Sequence, residues 1–306
     1  MAKKILITGA AGLIGRELCK QLANYGYDVT GIDDNRRFSN VVPSDCTFIC
    51  SDLSKYYTSS ENVYDIIFHL AAINGTEYFY NDPNKTLENN VRIDLDTFNF
   101  VKTNSKCKLI YSSSSEVVAG SHLVPTSEIY DVFIEDIHNA RWSYRLPKIL
   151  AENYLVNSDI NYLIVRFYNV FGMNSGQGHF FKDILDKIKT NEYVLIGSDE
   201  TRSFCWVEDA VDALIYLSLN SKNEIINIGN DEEIKIIDAA NIIADEIFKQ
   251  KIQWTTLPGR KGSANRRVPC IKKLKELYPT YHPRSFRESV QTIKQMLENF
   301  NENKEI

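Results

Sequence analysis

Tyr144 and Lys148 stand four residues apart in Tyr-Arg-Leu-Pro-Lys, a spacing that puts a phenol and an ammonium on one face of a helix. A free tyrosine ionises at about pH 10, too high for a base at neutral pH, and bringing it down to neutrality takes about 4 kcal/mol. A lysine ammonium beside the phenolate supplies stabilisation of that kind. The chemistry this pair could do is removal of a proton from a hydroxyl. Tyr-x-x-x-Lys also occurs by chance on surface helices, so its meaning depends on its neighbours. One such neighbour is the run Tyr111-Ser112-Ser113-Ser114-Ser115-Glu116, which offers hydroxyls to orient a substrate and one carboxylate.

A third cluster lies at the start of the chain, Thr8-Gly9-Ala10-Ala11-Gly12-Leu13-Ile14-Gly15. It follows an apolar run and opens a helical pattern, the context of a dinucleotide fingerprint. Gly9 makes the tight turn, Gly12 lets the backbone approach a pyrophosphate, and Gly15 lets helix pack closely on sheet. The anion then rests on the free amides of the helix N-terminus around Ala11, Leu13 and Ile14. Asp33 ends the next strand, where a carboxylate accepts the ribose hydroxyls and repels a 2′-phosphate, which selects NAD over NADP. Arg36 and Arg37 argue the other way, but Asp33 holds the direct position. Asp52 and Leu53 are expected at the adenine, although an Asp there also suits a loop cap. With NAD in place, Tyr144 would take the hydroxyl proton while hydride leaves to the nicotinamide.

These groups need a scaffold that brings residues 9, 33, 114 and 144 together. Short β-branched runs alternate with helical stretches, the pattern of βαβ units and a parallel sheet. Strands are expected at 4–7, 28–32, 47–50, 66–70, 108–112 and 161–166, with helices at 13–25, 83–103 and 144–157. Pro147 places Tyr144 in the first turn of its helix. After Gly172 the texture changes, and Glu-Ile-Ile-Asn-Ile-Gly at 224–229 returns to a buried-strand pattern. The expected fold is α/β, a Rossmann-type doubly wound parallel sheet with a smaller α/β lobe. Residues 1–172 and 207–230 would form the NAD-binding domain, and 173–206 and 231–306 the lobe.

Composition agrees with a soluble globular protein: 306 residues, 43% hydrophobic, 25% charged. A net charge of −5 gives no reason to bind nucleic acid or an anionic membrane, although residues 260–275 carry a local basic cluster. Six scattered cysteines without Cys-x-x-Cys pairs read as reduced thiols, and the histidines show no metal spacing. No signal peptide or membrane span is visible, so the expected location is cytoplasmic, with no metal.

Taken in order, TGAAGLIG, HLAA, SSSSEV, the tyrosine–lysine pair, RFYNVFG, TRSFCWVEDA and GRKGSANRRVP resemble an extended short-chain dehydrogenase/reductase of the nucleotide-sugar epimerase/dehydratase group. The resemblance spans nearly the whole chain, and its overall texture is similar to the GDP-heptose 4-dehydrogenases of bacterial capsule pathways. It implies NAD as cofactor and a nucleotide-diphosphate sugar as substrate. It further implies that Ser114 binds the hydroxyl being oxidised, Lys148 holds the nicotinamide ribose, and Leu70, Ala71, Ala72, Asn90 and Ser112 lie along the cofactor. Asn169, Arg202 and Arg260 match positions that contact the diphosphate, and Ser115 and Arg267 complete the substrate side. A homodimer through the helices at 83–103 and 144–157 is also implied. Val118 and Ala119, where the group usually has Tyr-Gly, and Pro147 depart from its pattern without removing a catalytic group.

Within that group the shared first step is oxidation at sugar C4, which here leads to a 4-epimerase or 4-dehydrogenase of bacterial surface polysaccharide synthesis. A 4,6-dehydratase is excluded because Ser115 stands where its Asp would be. Ser114-Ser115-Glu116, Arg267-Val-Pro269 and 78–83 also resemble UDP-glucuronate decarboxylases, with Glu116 a candidate proton-transfer group. A non-catalytic NAD-binding regulator is the remaining alternative, and retention of Ser114, Tyr144 and Lys148 argues against it.

Overall fold

The computed structural model describes residues 2–36, 42–121, 123–132, 134, 136–176, 178–260 and 262–302. Its centre is a parallel sheet of seven strands: β1 Lys4–Thr8, β2 Asp28–Asp33, β3 Thr47–Cys50, β4 Ile66–His69, β5 Lys108–Ser114, β6 Asn161–Phe167 and β7 Glu224–Ile228. The spatial order is β7-β6-β5-β4-β1-β2-β3. The chain therefore runs outward from β1 in one direction, returns to β4, and runs outward in the other. The reversal between β1 and β4 opens a crevice at the carboxyl ends of the strands, where such sheets bind ligands.

Continuous apolar strands such as Ile-Ile-Phe-His are buried on both faces, as parallel strands require. On one face α1 (Leu13–Asn24) packs beside Val207–Asn220, and on the other α2 (Leu53–Ser59), α3 (Thr76–Asn81), α4 (Pro83–Lys102) and α5 (Trp142–Val156) lie together. Helix α5 starts at Trp142, so Tyr144 does sit in its first turn, with Pro147 just inside. The chain beyond β6 also adds short strands outside the main sheet. Val170–Phe171 pairs with Cys205–Trp206, and Thr201–Arg202 lies between Ile234–Lys235 and Arg266–Arg267. One apolar cluster runs from Ile5 and Leu18 through Phe171 and Trp206 to Ile243 and Val290, so these additions share the core of the sheet. No helix among the described residues is long and apolar enough to cross a membrane.

Candidate active site

A cleft of about 710 Å³ runs along the carboxyl ends of the strands. Gly9, Gly12, Leu13, Ile14, Asp33, Asp52, Leu53, Leu70, Ala71 and Ala72 line one end of it, and Ser112, Ser114, Ser115, Glu116, Tyr144, Asn169 and Arg267 the other. The fingerprint turn is sterically specific. Gly9 has φ +72° and a Cβ there would lie 2.8 Å from the Ala71 nitrogen; a Cβ on Gly15 would lie 2.3 Å from the Gly9 carbonyl oxygen. Helix α1 is capped by Gly12, with no side chain accepting its first amides and no acidic residue in its first turn. Those amides and the glycine cradle fit a pyrophosphate.

Asp33 is held open toward the cleft by two amides. Its Oδ2 accepts from the Ala11 N–H at 3.1 Å and its Oδ1 from Asn35 at 2.8 Å, while burial raises its pKa. Ala11 is thus buried behind Asp33 rather than lining the cleft. Arg36 does line it, but the guanidinium is bound to Asp34, Nε at 2.6 Å and Nη2 at 2.5 Å from Oδ2. That pairing neutralises one of the two arginines that favoured NADP; Arg37 lies outside the described residues. Asp52 caps α2 through the amides of Ser54 and Lys55, and it also lines the cleft.

Asn90 departs from expectation. It is buried, with Oδ1 accepting from the Ile73 N–H at 2.8 Å and Nδ2 donating to the Ile73 carbonyl at 3.1 Å, so it pins the loop after β4 instead of facing the cleft. Lys148 is also below the surface, its Nζ 4.5 Å from the Tyr111 ring centroid and 6.0 Å from that of Tyr144. Phe79 from α3 stacks on Tyr144 with centroids 5.0 Å apart, fixing the plane of the phenol. Ser114 ends β5 and its Oγ accepts the Glu116 amide at 3.2 Å.

Glu116 is not the free proton-transfer group that its position suggested. Arg141 Nη2 lies 3.0 Å, Arg145 Nη2 3.3 Å and Arg267 Nη1 2.8 Å from its carboxylate, and all four side chains are buried. Burial opposes ionisation, but Arg267, Arg141 and Arg145 outweigh it and hold the carboxyl at about 2. A carboxylate this acidic is a poor base at neutral pH. The cluster carries three positive charges against one negative, and Arg267 Nε and Nη2 have no hydrogen-bond partner. The sequence reasoning missed Arg141 and Arg145; arginines three before and one after the tyrosine were the available signal.

Arg202 and Arg260 lie farther along. Arg202 is buried and bound through Nη2 to Glu200 at 2.5 Å and Ser263 at 2.9 Å, and burial together with the charge of Arg267 lowers its pKa to about 10. Neither lines the main cleft. Arg260 borders a second cavity of about 330 Å³ with Gly197, Glu200, Ser263 and Asn265. Asn169 lines the main cleft in a left-handed conformation, φ 38°, its amide donating to the Ser203 carbonyl. No cluster of three His, Cys, Asp or Glu side chains with metal-binding geometry occurs among the described residues.

Fold and cleft together define an NAD-dependent enzyme of Rossmann architecture. Residues 5–229 match the NAD dependent epimerase/dehydratase family, and the chain belongs to it. It is 29% identical to the UDP-N-acetyl-alpha-D-glucosaminuronate decarboxylase of Bacillus cytotoxicus, over 97% of this chain and 99% of that protein. The UDP-glucuronic acid decarboxylase 1 of Danio rerio is 30% identical over 90% of this chain and 68% of its own length. Among solved structures, the UDP-glucuronic acid 4-epimerase from Bacillus cereus, in complex with UDP-glucuronic acid and NAD, superposes with a TM-score of 0.81 at 25% identity, covering 97% of this chain and 99% of that one.

Proposed function

We propose that the enzyme oxidises the C4 hydroxyl of a nucleotide-linked sugar and that this sugar carries a carboxylate at C5. Tyr144 is the base, Lys148 supports its phenolate, and Ser114 orients the hydroxyl. NAD, held by the Gly9–Gly15 turn and Asp33, would supply the hydride acceptor. The observation that carries the carboxylate is the arginine cluster: a buried surplus of positive charge in which Arg267, a cleft residue, keeps two guanidinium nitrogens unpartnered. A buried guanidinium with unmade hydrogen bonds is costly, and a planar carboxylate is the partner its fork fits.

Once C4 is a ketone, a C5 carboxylate is a β-keto acid. Its C–C bond breaks to release CO₂, and the electron pair passes to the C4 oxygen as an enolate. Positive charge nearby favours that developing oxyanion. Decarboxylation is preferred to 4-epimerisation or release of the keto sugar because two relatives are named as decarboxylases of such sugars. Glu116 then organises the arginines rather than moving protons. Surface polysaccharide synthesis is the pathway class expected to consume the product. The homodimer expected through α4 and α5 belongs to the same proposal; α5 exposes Leu150 and Val156, and light scattering tests it.

The test offers UDP-glucuronate, UDP-N-acetylglucosaminuronate, UDP-glucose and a GDP-linked hexose to the purified protein. Reduced nicotinamide is followed by absorbance and loss of CO₂ by product mass. Turnover of a neutral sugar but neither uronate removes the carboxylate from the proposal. Equal turnover by wild type and Tyr144→Phe removes the mechanism.

A further inference from the structure

Beneath the cleft lies a buried polar chain that the catalytic reading does not use. Asp94 on α4 is 1% exposed, and its carboxylate accepts from the Tyr111 hydroxyl at 2.8 Å and from His69 Nε2 at 2.9 Å. Burial lowers the pKa of His69, so the ring is neutral. Its Nε2–H then donates to Asp94, and its Nδ1 accepts from the Thr8 hydroxyl at 2.8 Å. Both partners of the Asp94 carboxylate are therefore neutral, and no lysine or arginine forms an ion pair with it among the described residues. Lys148 mirrors this situation. It is 2% exposed, and no carboxylate lies within ion-pair distance of it among the described residues.

We propose that Asp94 is the counter-ion of the Lys148 ammonium, acting across the ring of Tyr111, and so a positioning residue for the reaction proposed above. The ammonium sits 4.5 Å from the ring centroid while the hydroxyl of the same ring donates to Asp94. A phenol whose proton leans toward a carboxylate carries a more electron-rich ring, which strengthens its hold on a cation. Four other groups face the neighbourhood. Tyr144 lies on the same helix, His69 is neutral, and the Tyr111 phenol is held protonated by burial and Asp94. Glu152 is already bound by Arg166 at 2.9 and 2.6 Å and by Ser113 at 2.5 Å. Asp94 is the facing carboxylate without a cation of its own. Burial pushes the Lys148 ammonium down, and Asp94, followed by Glu152, pulls it back up.

The proposal rests on the role given to Lys148, but its test needs no sugar. NADH affinity is titrated against pH by fluorescence in a Tyr144→Phe background, which removes the phenol, with and without Asp94→Asn. The amide can satisfy the network, its oxygen accepting from Tyr111 and its N–H donating to His69 in the other tautomer. Removing the negative charge destabilises the ammonium. Affinity should therefore match at low pH and be lost at a lower pH in the variant, the midpoint falling by about one pH unit. Asp94→Thr, smaller and also neutral, should show the same displacement. Weaker binding at every pH with an unmoved midpoint, or two variants that fail to fold, would make Asp94 purely structural and overturn the proposal. Failure of every sugar in the panel would leave the NADH midpoint readable, so the two ideas fail separately.

Discussion

Replacing Glu116 by glutamine keeps the shape of the arginine cluster and deletes its only negative charge. The carboxyl moves from an ordinary 4.5 to about 2 on folding. Each pKa unit is worth about 1.4 kcal/mol, so the cluster stabilises the fold through this group by about 3 kcal/mol at pH 7. Glu116 is buried, so solvent screening does not cut that figure heavily, and loss of one partner from a buried ion cluster falls in the same range. Because the folded pKa is depressed, the contribution is complete above the unfolded value and lost as pH falls through the folded one. Linkage makes it roughly half as large at pH 3 as at pH 7. For a chain of this length the loss at pH 7 corresponds to a drop in Tm of about 5 °C. Differential scanning calorimetry of wild type and Glu116→Gln at pH 7, and denaturant unfolding across the acid range, measure both quantities. Coincident melting curves at neutral pH, or a gap that widens in acid, would refute the charge-organising role.

Other expectations follow from single contacts. Tyr144→Phe should keep NADH affinity and fold while lowering turnover by about 10²–10⁴-fold, read in steady-state assays with the active sugar. Asp33→Ala should narrow the preference for NAD over NADP, which wild type should show at tenfold or more, about 1.4 kcal/mol, by parallel titration. Gly15→Ala should abolish or severely weaken NAD binding, because its Cβ would meet the Gly9 carbonyl; unchanged affinity by calorimetry would show that the turn is less constrained than its geometry.

The sheet and the cofactor end were legible because their signals are local. An apolar run, a glycine triplet and an Asp at the next strand end sit within the first 33 residues, and each specifies backbone geometry by its own chemistry. Pro147 likewise announced where α5 begins. The charge arrangement was not legible, because sequence does not say which neighbour an arginine will choose. Arg267 pairs with Glu116 from far along the chain, whereas Arg36 with Asp34 and Arg202 with Glu200 are only two residues apart, a spacing that fixes no pairing until the backbone geometry is known. Asp94 was invisible for a related reason: on a helical pattern an Asp reads as solvent-facing, and only the fold shows Tyr111 and His69 waiting beneath it. Asn90 was placed in the right neighbourhood, yet its side chain faces the backbone of Ile73 rather than the cleft.

The late arrival of Arg267 has a consequence for biogenesis. Domains emerge and fold from the N-terminal side during synthesis. A nascent chain that has cleared residue 228 already owns all seven strands and the complete dinucleotide end. It lacks the strand pairing of Arg267 with Arg202, and the rungs that join Thr126 to Val268 and Cys270 at 2.9 and 2.8 Å. Until those residues leave the ribosome, Glu116 faces Arg141 and Arg145 alone. The complete ion cluster therefore forms only after the segment that carries Arg267 has been made.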